Sequence, residues 1–251
     1  MNSVEIQAMR RVGRLAARTL LHVGAQLAPG VTTGQIDRWV REYTAAHGAR
    51  PSQLGYHGFP AAVCTSRNEV VCHGIPSDEV KLERGDIINV DVTSELNGWH
   101  GDTSATFCIG EVSAEAKHLV ETTRRALELG LAQVRPGAHL GDIGAAIDEL
   151  ARAAGCAVVT DWGGHGIGRQ MHLPPHVAHV GKRGTGLVLK EGMTFTIEPM
   201  LTLGRPDTRV LDDEWTVVTA DGKWSAQFEH TVLVTRRGHE VLTKDREASP
   251  G

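Results

Sequence analysis

Leu82-Glu-Arg-Gly85-Asp-Ile-Ile-Asn-Val-Asp91 and Leu189-Lys-Glu-Gly192-Met-Thr-Phe-Thr-Ile-Glu198 follow one pattern. Each opens with Leu-x-x-Gly, continues through four strand-forming residues and ends on an acid. The second copy lies 107 positions after the first, position 82 mapping onto 189. The same offset carries Pro29-Gly30-x-x-x-Gly34-x-Ile36 onto Pro136-Gly137-x-x-x-Gly141-x-Ile143. Two anchors in one register predict an internal duplication. The chain then forms a single domain over residues 1–251, built from two helix–helix–strand halves of about 5–110 and 111–243 related by a pseudo-twofold axis. Two unrelated αβ segments with similar turns are the alternative, because Pro-Gly commonly punctuates helix ends.

The elements around these anchors are legible from periodicity. Ile6, Met9, Val12, Leu15, Leu20 and Val23 recur at helical spacing and predict an amphipathic helix over 4–28, stopped by Pro29-Gly30. Thr32 or Thr33 can cap a second helix reaching about His47, and residues 114–134 and 140–154 predict two more. Between the first pair and Asp86 lies a loop rich in Gly and Pro. Residues 86–92 read as a strand, Glu95-Leu-Asn-Gly98 as a hairpin turn and Thr103–Ile109 as the return strand.

Composition narrows the function. The formal charge is only −4 over 251 residues, with acids and bases mixed. No basic face appears, which argues against a general nucleic-acid binder. Cys64, Cys72, Cys108 and Cys156 stand in separate segments without a C-x-x-C pair, so neither a thiolate zinc site nor a disulfide framework is expected. Arg10, Arg11, Arg14 and Arg18 interrupt any leader-like apolar run, and no stretch approaches membrane-helix length. A cytoplasmic, non-membrane protein is expected.

The duplication makes particular carboxylates interesting. It places Asp91 and Glu198 at equivalent strand ends, facing one another across the junction of the halves. The following strand-like segments, Asp102-Thr-Ser-Ala-Thr-Phe107 and Glu229-His-Thr-Val-Leu-Val234, add Asp102 and Glu229. Acids embedded in apolar text are rarely buried without compensation, and several packed together repel. A pair of divalent metal ions is the simplest compensation, and carboxylate-bridged pairs serve hydrolysis. His165, in Gly163-Gly-His-Gly-Ile-Gly168, adds an imidazole where glycines let backbone approach closely. One imidazole with four carboxylates is oxygen-rich and favours manganese, iron or cobalt over a structural zinc site, zinc remaining possible. Singly, each acid reads as a turn or solvent-face residue; jointly they read as a site.

Together, Asn89-Val-Asp-Val92, Gly101-Asp-Thr-Ser104, Gly164-His-Gly-Ile-Gly168, Met193-Thr-Phe-Thr-Ile-Glu-Pro-Met200 and Ser225-Ala-Gln-Phe-Glu-His230 resemble the type I methionine aminopeptidases. The likeness runs from about residue 5 to 243. It implies an α+β pita-bread fold, with two αβ halves around a central curved antiparallel sheet. It also implies an aminopeptidase that removes the N-terminal methionine from nascent proteins with a small second residue. By the resemblance, Asp91, Asp102, His165, Glu198 and Glu229 ligate two metal ions, with Asp102 and Glu229 bridging and Glu198 doubling as the proton carrier. His73, in Val-Cys-His-Gly-Ile-Pro76, matches a histidine near the scissile amide, and His172 one that hydrogen-bonds the substrate carbonyl. Tyr56, His57, Phe59, Cys64, Met171 and Trp215 match the methionine pocket. Met171 departs from the pattern, since many relatives carry an aromatic there. Substrates would be nascent N-termini, near the ribosome, and the protein is expected to be a monomer. A proline-specific peptidase of the same fold and a non-catalytic pita-bread binding module are the rivals. The type II subgroup fits less well, because no long insertion separates His172 from Glu198.

Overall fold

The computed structural model describes residues 1–245. Its four helices are α1 (Ser3–Gly24), α2 (Thr33–Ala46), α3 (Ala114–Ala132) and α4 (Leu140–Ala153). The start and end of α4 each lie 107 positions after those of α2, the register in which the anchors repeat. Equivalent hydrogen bonds repeat too. Gly30 N donates to the Leu82 carbonyl and Gly137 N to that of Leu189. Isolated bridges join Thr32 to Lys81 and His139 to Val188. The Leu-x-x-Gly segment therefore docks onto the Pro-Gly turn in both halves.

The central sheet has nine strands, all paired antiparallel. Ile87–Leu96 and Trp99–Cys108 form a long hairpin. Glu229–Val234 pairs with Trp99–Cys108 on one side and Thr194–Ile197 on the other, and so joins the halves. Cys64–Arg67 and Arg50–Pro51 pair along the far side of Ile87–Leu96. Gly164–Gly166 occupies the corresponding place beside Thr194–Ile197 and is followed by Leu173–Val177.

Strand alternation separates core from site. Ile88, Val90 and Val92 pack against Leu20 and Val23 of α1 and Ile36 and Val40 of α2. Asp91 and Thr93, on the opposite face, line a cavity. In the second half Phe195 and Ile197 pack with Leu119 of α3 and Ile143 and Ile147 of α4. Burial outweighs capping in holding the helices down. The Thr32 hydroxyl accepts from Gln35 N at the start of α2, a contact worth about 1 kcal/mol. Removing a fully buried side chain such as Phe195 costs about 3–5 kcal/mol.

Two boundaries differ from the sequence reading. The first helix ends at Gly24, not residue 28, where Ala25 caps it with its N–H on the Leu21 carbonyl; Gly24 itself leaves room for the Phe107 ring, 2.5 Å from where a Cβ would stand. The hairpin is longer than expected: Leu96 pairs with Trp99, and the turn is only Asn97-Gly98, with φ of 54° and 74°. Positive φ at both positions marks the tight turn that matches strand twist. Asp91 is therefore a mid-strand residue, not a strand end. Gly101, which makes the return strand look broken, is where α1 crosses; a Cβ would sit 2.9 Å from the Gly13 backbone. The expected loop before Asp86 also contains the Cys64–Arg67 and Val70–Cys72 strands.

Candidate metal centre and substrate cleft

Five predicted ligands converge between the halves. Asp102 and Glu229 come from the adjoining central strands, Asp91 from the first hairpin, Glu198 from the end of Thr194–Ile197 and His165 from the glycine-flanked edge strand. Ligand atoms of Asp102, His165 and Glu229 lie within 4.8 Å of one another. His165 Nε2 is 3.7 Å from Asp102 Oδ2 and 3.6 Å from Glu198 Oε1. Asp102, Glu198 and Glu229 are 5 %, 9 % and 1 % exposed, well beyond ordinary acids.

Small hydroxyls and amides hold these groups. Thr196 Oγ1 donates to Glu198 Oε1 at 2.6 Å and accepts from His165 N at 2.9 Å, tying two of them together. Gln227 Nε2 donates to Glu198 Oε2, and Thr93 Oγ1 to Asp102 Oδ1. Thr231 Oγ1 accepts from Asp102 N and donates to Asp102 O, which pins that strand residue across the junction. The glycines beside His165 are required by close approach. A Cβ on Gly164 would lie 2.3 Å from Thr196 O, and one on Gly166 2.2 Å from Pro174 O.

The electrostatics call for a cation. Burial, then the charges of Asp102 and Glu198, push Asp91 well above the usual carboxylate range. Burial likewise raises Glu198 to about 8 and Asp102 to about 6, and lifts Glu229 well above its ordinary value. Burial lowers His165 to about 3, so its contacts with the acids are not ion pairs. Its Nδ1 lies 3.1 Å from the Gly166 carbonyl, which can only accept; Nδ1 carries the proton and the Nε2 lone pair faces the carboxylates. Lone pair against carboxylate is repulsive unless something positive lies between. Buried Asp91 Oδ1 and Glu229 Oε1 have no hydrogen-bond partner, as expected of atoms shaped for a ligand. The residues present fit a divalent metal site.

Beside the acids opens a cavity of about 230 Å³. Tyr56, Phe59, Cys64, His73, Met171, His172 and Trp215, all read from the sequence, line it. Phe59 meets Trp215 edge-on at 5.1 Å, and His73 meets Trp162 at 5.0 Å. His172 Nδ1 is 2.8 Å from the Tyr56 hydroxyl, and its ring stands edge-on to His165 at 4.2 Å. Burial, then His172, lowers His73 to about 4, so it is neutral near pH 7. His57 is the exception. It is exposed, stands outside the cavity lining and meets Tyr56 edge-on at 4.4 Å, on a backbone with φ of 47°. Sequence reading missed Gln53, Cys72, Thr93, Trp162, Met200 and Gln227 in the lining. Thr93 was findable, since it stands two residues from Asp91 on one strand and so shares its face.

Carboxylates and one imidazole gathered where the two matching sets of elements meet, next to an apolar cleft, define a metal-dependent hydrolase site. Comparison agrees: metallopeptidase family M24 matches residues 7–236. Methionine aminopeptidase B of Synechocystis sp. is 53 % identical over 244 residues, covering 95 % of this chain and 89 % of its own. The crystal structure of methionine aminopeptidase from Rickettsia prowazekii has a TM-score of 0.96 at 46 % identity, with 97 % and 98 % of the two chains covered. A prolidase from Pyrococcus furiosus shares the fold alone, with a TM-score of 0.77 at 21 % identity and coverage of 98 % of this chain and 65 % of its own. The chain belongs to metallopeptidase family M24, and its architecture is the α+β pita-bread fold.

Proposed function

We propose that this chain is a methionyl aminopeptidase, removing the N-terminal methionine of nascent proteins whose second residue is small. The carrying observation is the convergence of five ligand-type side chains beside a narrow apolar cavity. Asp91, Asp102, His165, Glu198 and Glu229 would hold two divalent cations, with Asp102 and Glu229 shared. Such a pair, when bound, polarises the substrate carbonyl and lowers the pKa of water toward neutrality. Four carboxylates with one imidazole suit cobalt, manganese or iron, with zinc also able to enter.

The remaining chemistry belongs to the chain. Glu198 takes the proton of the attacking water and delivers it to the leaving amine nitrogen. With the Tyr56 hydroxyl donating to Nδ1, His172 presents its Nε2–H to the substrate carbonyl oxygen as negative charge develops there. His73, neutral, faces the scissile amide. Tyr56, Phe59, Cys64, Met171 and Trp215 enclose the methionine side chain, whose flexible thioether fills irregular apolar space. Met171 gives that wall a softer surface than an aromatic would. The same reading assigns the protein to the cytoplasm, near the ribosome where nascent N-termini emerge, acting as a monomer. No helix among the described residues is long and apolar enough to cross a membrane.

A series of Met-x-Gly peptides, assayed with added manganese, iron, cobalt or zinc, tests this function. Turnover for small x and a sharp fall for bulky x is expected. Preference for x-Pro peptides would overturn the assignment.

A further inference from the structure

Glu198 sits where the sheet stops. Its strand ends at Ile197, which pairs with His230, and the next residue, Pro199, has no N–H. The Glu198 amide therefore has no ladder partner, and a buried N–H left unpaired costs about 1–3 kcal/mol. Its acceptor is a side chain from another segment: it donates to His179 Nε2 at 3.1 Å. His179 is 2 % exposed, and its other nitrogen, Nδ1, is buried without a hydrogen-bond partner. An acceptor at Nε2 requires the proton on Nδ1, so the ring tolerates an unpaired donor to serve the Glu198 amide. The backbone carrying His179 is itself fixed by α4. A Cβ on Gly144 would lie 2.4 Å from Val180 O and 2.9 Å from Ala178 O.

We infer that His179 is a positioning residue for Glu198: its Nε2 lone pair fixes the Glu198 backbone amide and thereby sets where the carboxylate stands between the halves. Thr196 and Gln227 then orient the two carboxylate oxygens. Without the anchor, the Ile197–Pro199 segment loses this polar tie to the His179 loop, and the carboxylate loses its register with Asp102 and His165. The alternative role, an imidazole merely filling the core, predicts that an apolar ring of similar size serves equally well.

The proposal rests on Glu198 being a metal ligand, and its test separates the two ideas. Metal-free unaltered chain, His179→Phe and His179→Gln are each titrated with Mn²⁺ by calorimetry and melted in parallel. His179→Phe keeps the ring volume but cannot accept; it is expected to bind Mn²⁺ about tenfold or more weakly, the range seen when groups supporting metal ligands are lost. His179→Gln, which retains an acceptor, should recover most of that loss, and kcat should fall more than KM rises in His179→Phe. Mn²⁺ affinity in His179→Phe equal to that of the unaltered chain overturns the proposal. Should His179→Phe fail to fold, nitrogen-15 spectra of the unaltered metal-free chain decide: the Nδ1–H tautomer at neutral pH is expected, and an Nε2–H tautomer overturns the role. Failure of the unaltered chain to bind Mn²⁺ would instead overturn the metal site itself.

Discussion

The two halves share a framework and differ in what they place on it. Both dock a Leu-x-x-Gly turn onto a Pro-Gly helix junction, and both direct an acid at the equivalent point, Asp91 or Glu198, toward the seam. Their edge strands diverge. In the first half Cys64 stands opposite Asp91, close to Phe59, Tyr56 and Trp215, and forms apolar cavity wall. In the second half the corresponding place holds His165 between glycines, and the acid is Glu198, one methylene longer and gripped by Thr196, Gln227 and His179. The shared framework places a matching pair of acids; the differences give the first half Tyr56, Phe59 and Cys64 of the pocket and the second half Glu198, the imidazole of His165 and the Met171 and Trp215 walls.

That division makes predictions that the equivalent residues should not behave alike. Glu198→Gln removes proton carrier and ligand together and should lower kcat by about 10²–10⁴-fold, measured as single-turnover Met-Ala-Ser cleavage. Asp91→Asn, its symmetry mate, should chiefly weaken metal binding, so that raising Mn²⁺ restores more activity to it than to Glu198→Gln. Equal behaviour would break the comparison. His172→Ala should cost on the order of a hundredfold in kcat while leaving metal content unchanged by elemental analysis.

Pocket changes in the first half should act more mildly. Phe59→Ala, tested with Met- against norleucine-led peptides, should raise KM and reduce discrimination by about 1–3 kcal/mol without altering metal content. A comparable loss of metal would mean that the halves are not functionally separate.

The smallest effect is on stability. Between about 4.5 and 8 the folded metal-free chain holds a proton on Glu198 that the unfolded chain has released, so stability falls as pH rises through that window. His73 and His230, lowered by burial to about 4, and His165 and His179, lowered to about 3, act with the opposite sign, since the unfolded chain binds protons there first, an effect that fades as pH rises through 6.5 and above. From about pH 7.5 to 8 the unfolded histidines are largely neutral, and the raised carboxylates dominate. The melting temperature of metal-free protein should decline across that interval, and saturating Mn²⁺ should remove the decline. A rise in the metal-free melting temperature would contradict the buried, proton-holding acids.

How much of this could be read from sequence follows the same division. The framework was legible because Pro-Gly turns and Leu-x-x-Gly docking leave fixed spacing, and because an apolar face must repeat with its element's period. The acids were legible because Asp91, Asp102 and Glu229 interrupt apolar strands. Hairpin length was not: Trp99-His-Gly-Asp looks like loop, and only the crossing of α1 over Gly101 explains a glycine within the strand. Cleft walls from separate loops, such as Gln53, Trp162 and Met200, carry no periodic signal. His57 misled for the converse reason: its neighbours Tyr56 and Phe59 do line the cavity, and local sequence does not reveal a backbone turn at φ 47°. His179 lay hidden because its role depends on the end of a strand distant in sequence.

The central claim is that the seam between the halves is a cation site. Crystals of this chain grown with Mn²⁺ and measured for anomalous scattering test it most directly. Two peaks about 3.5–4 Å apart, enclosed by Asp91, Asp102, His165, Glu198 and Glu229, are the predicted result. A map with no peak among those side chains, at Mn²⁺ concentrations that support turnover, would contradict it.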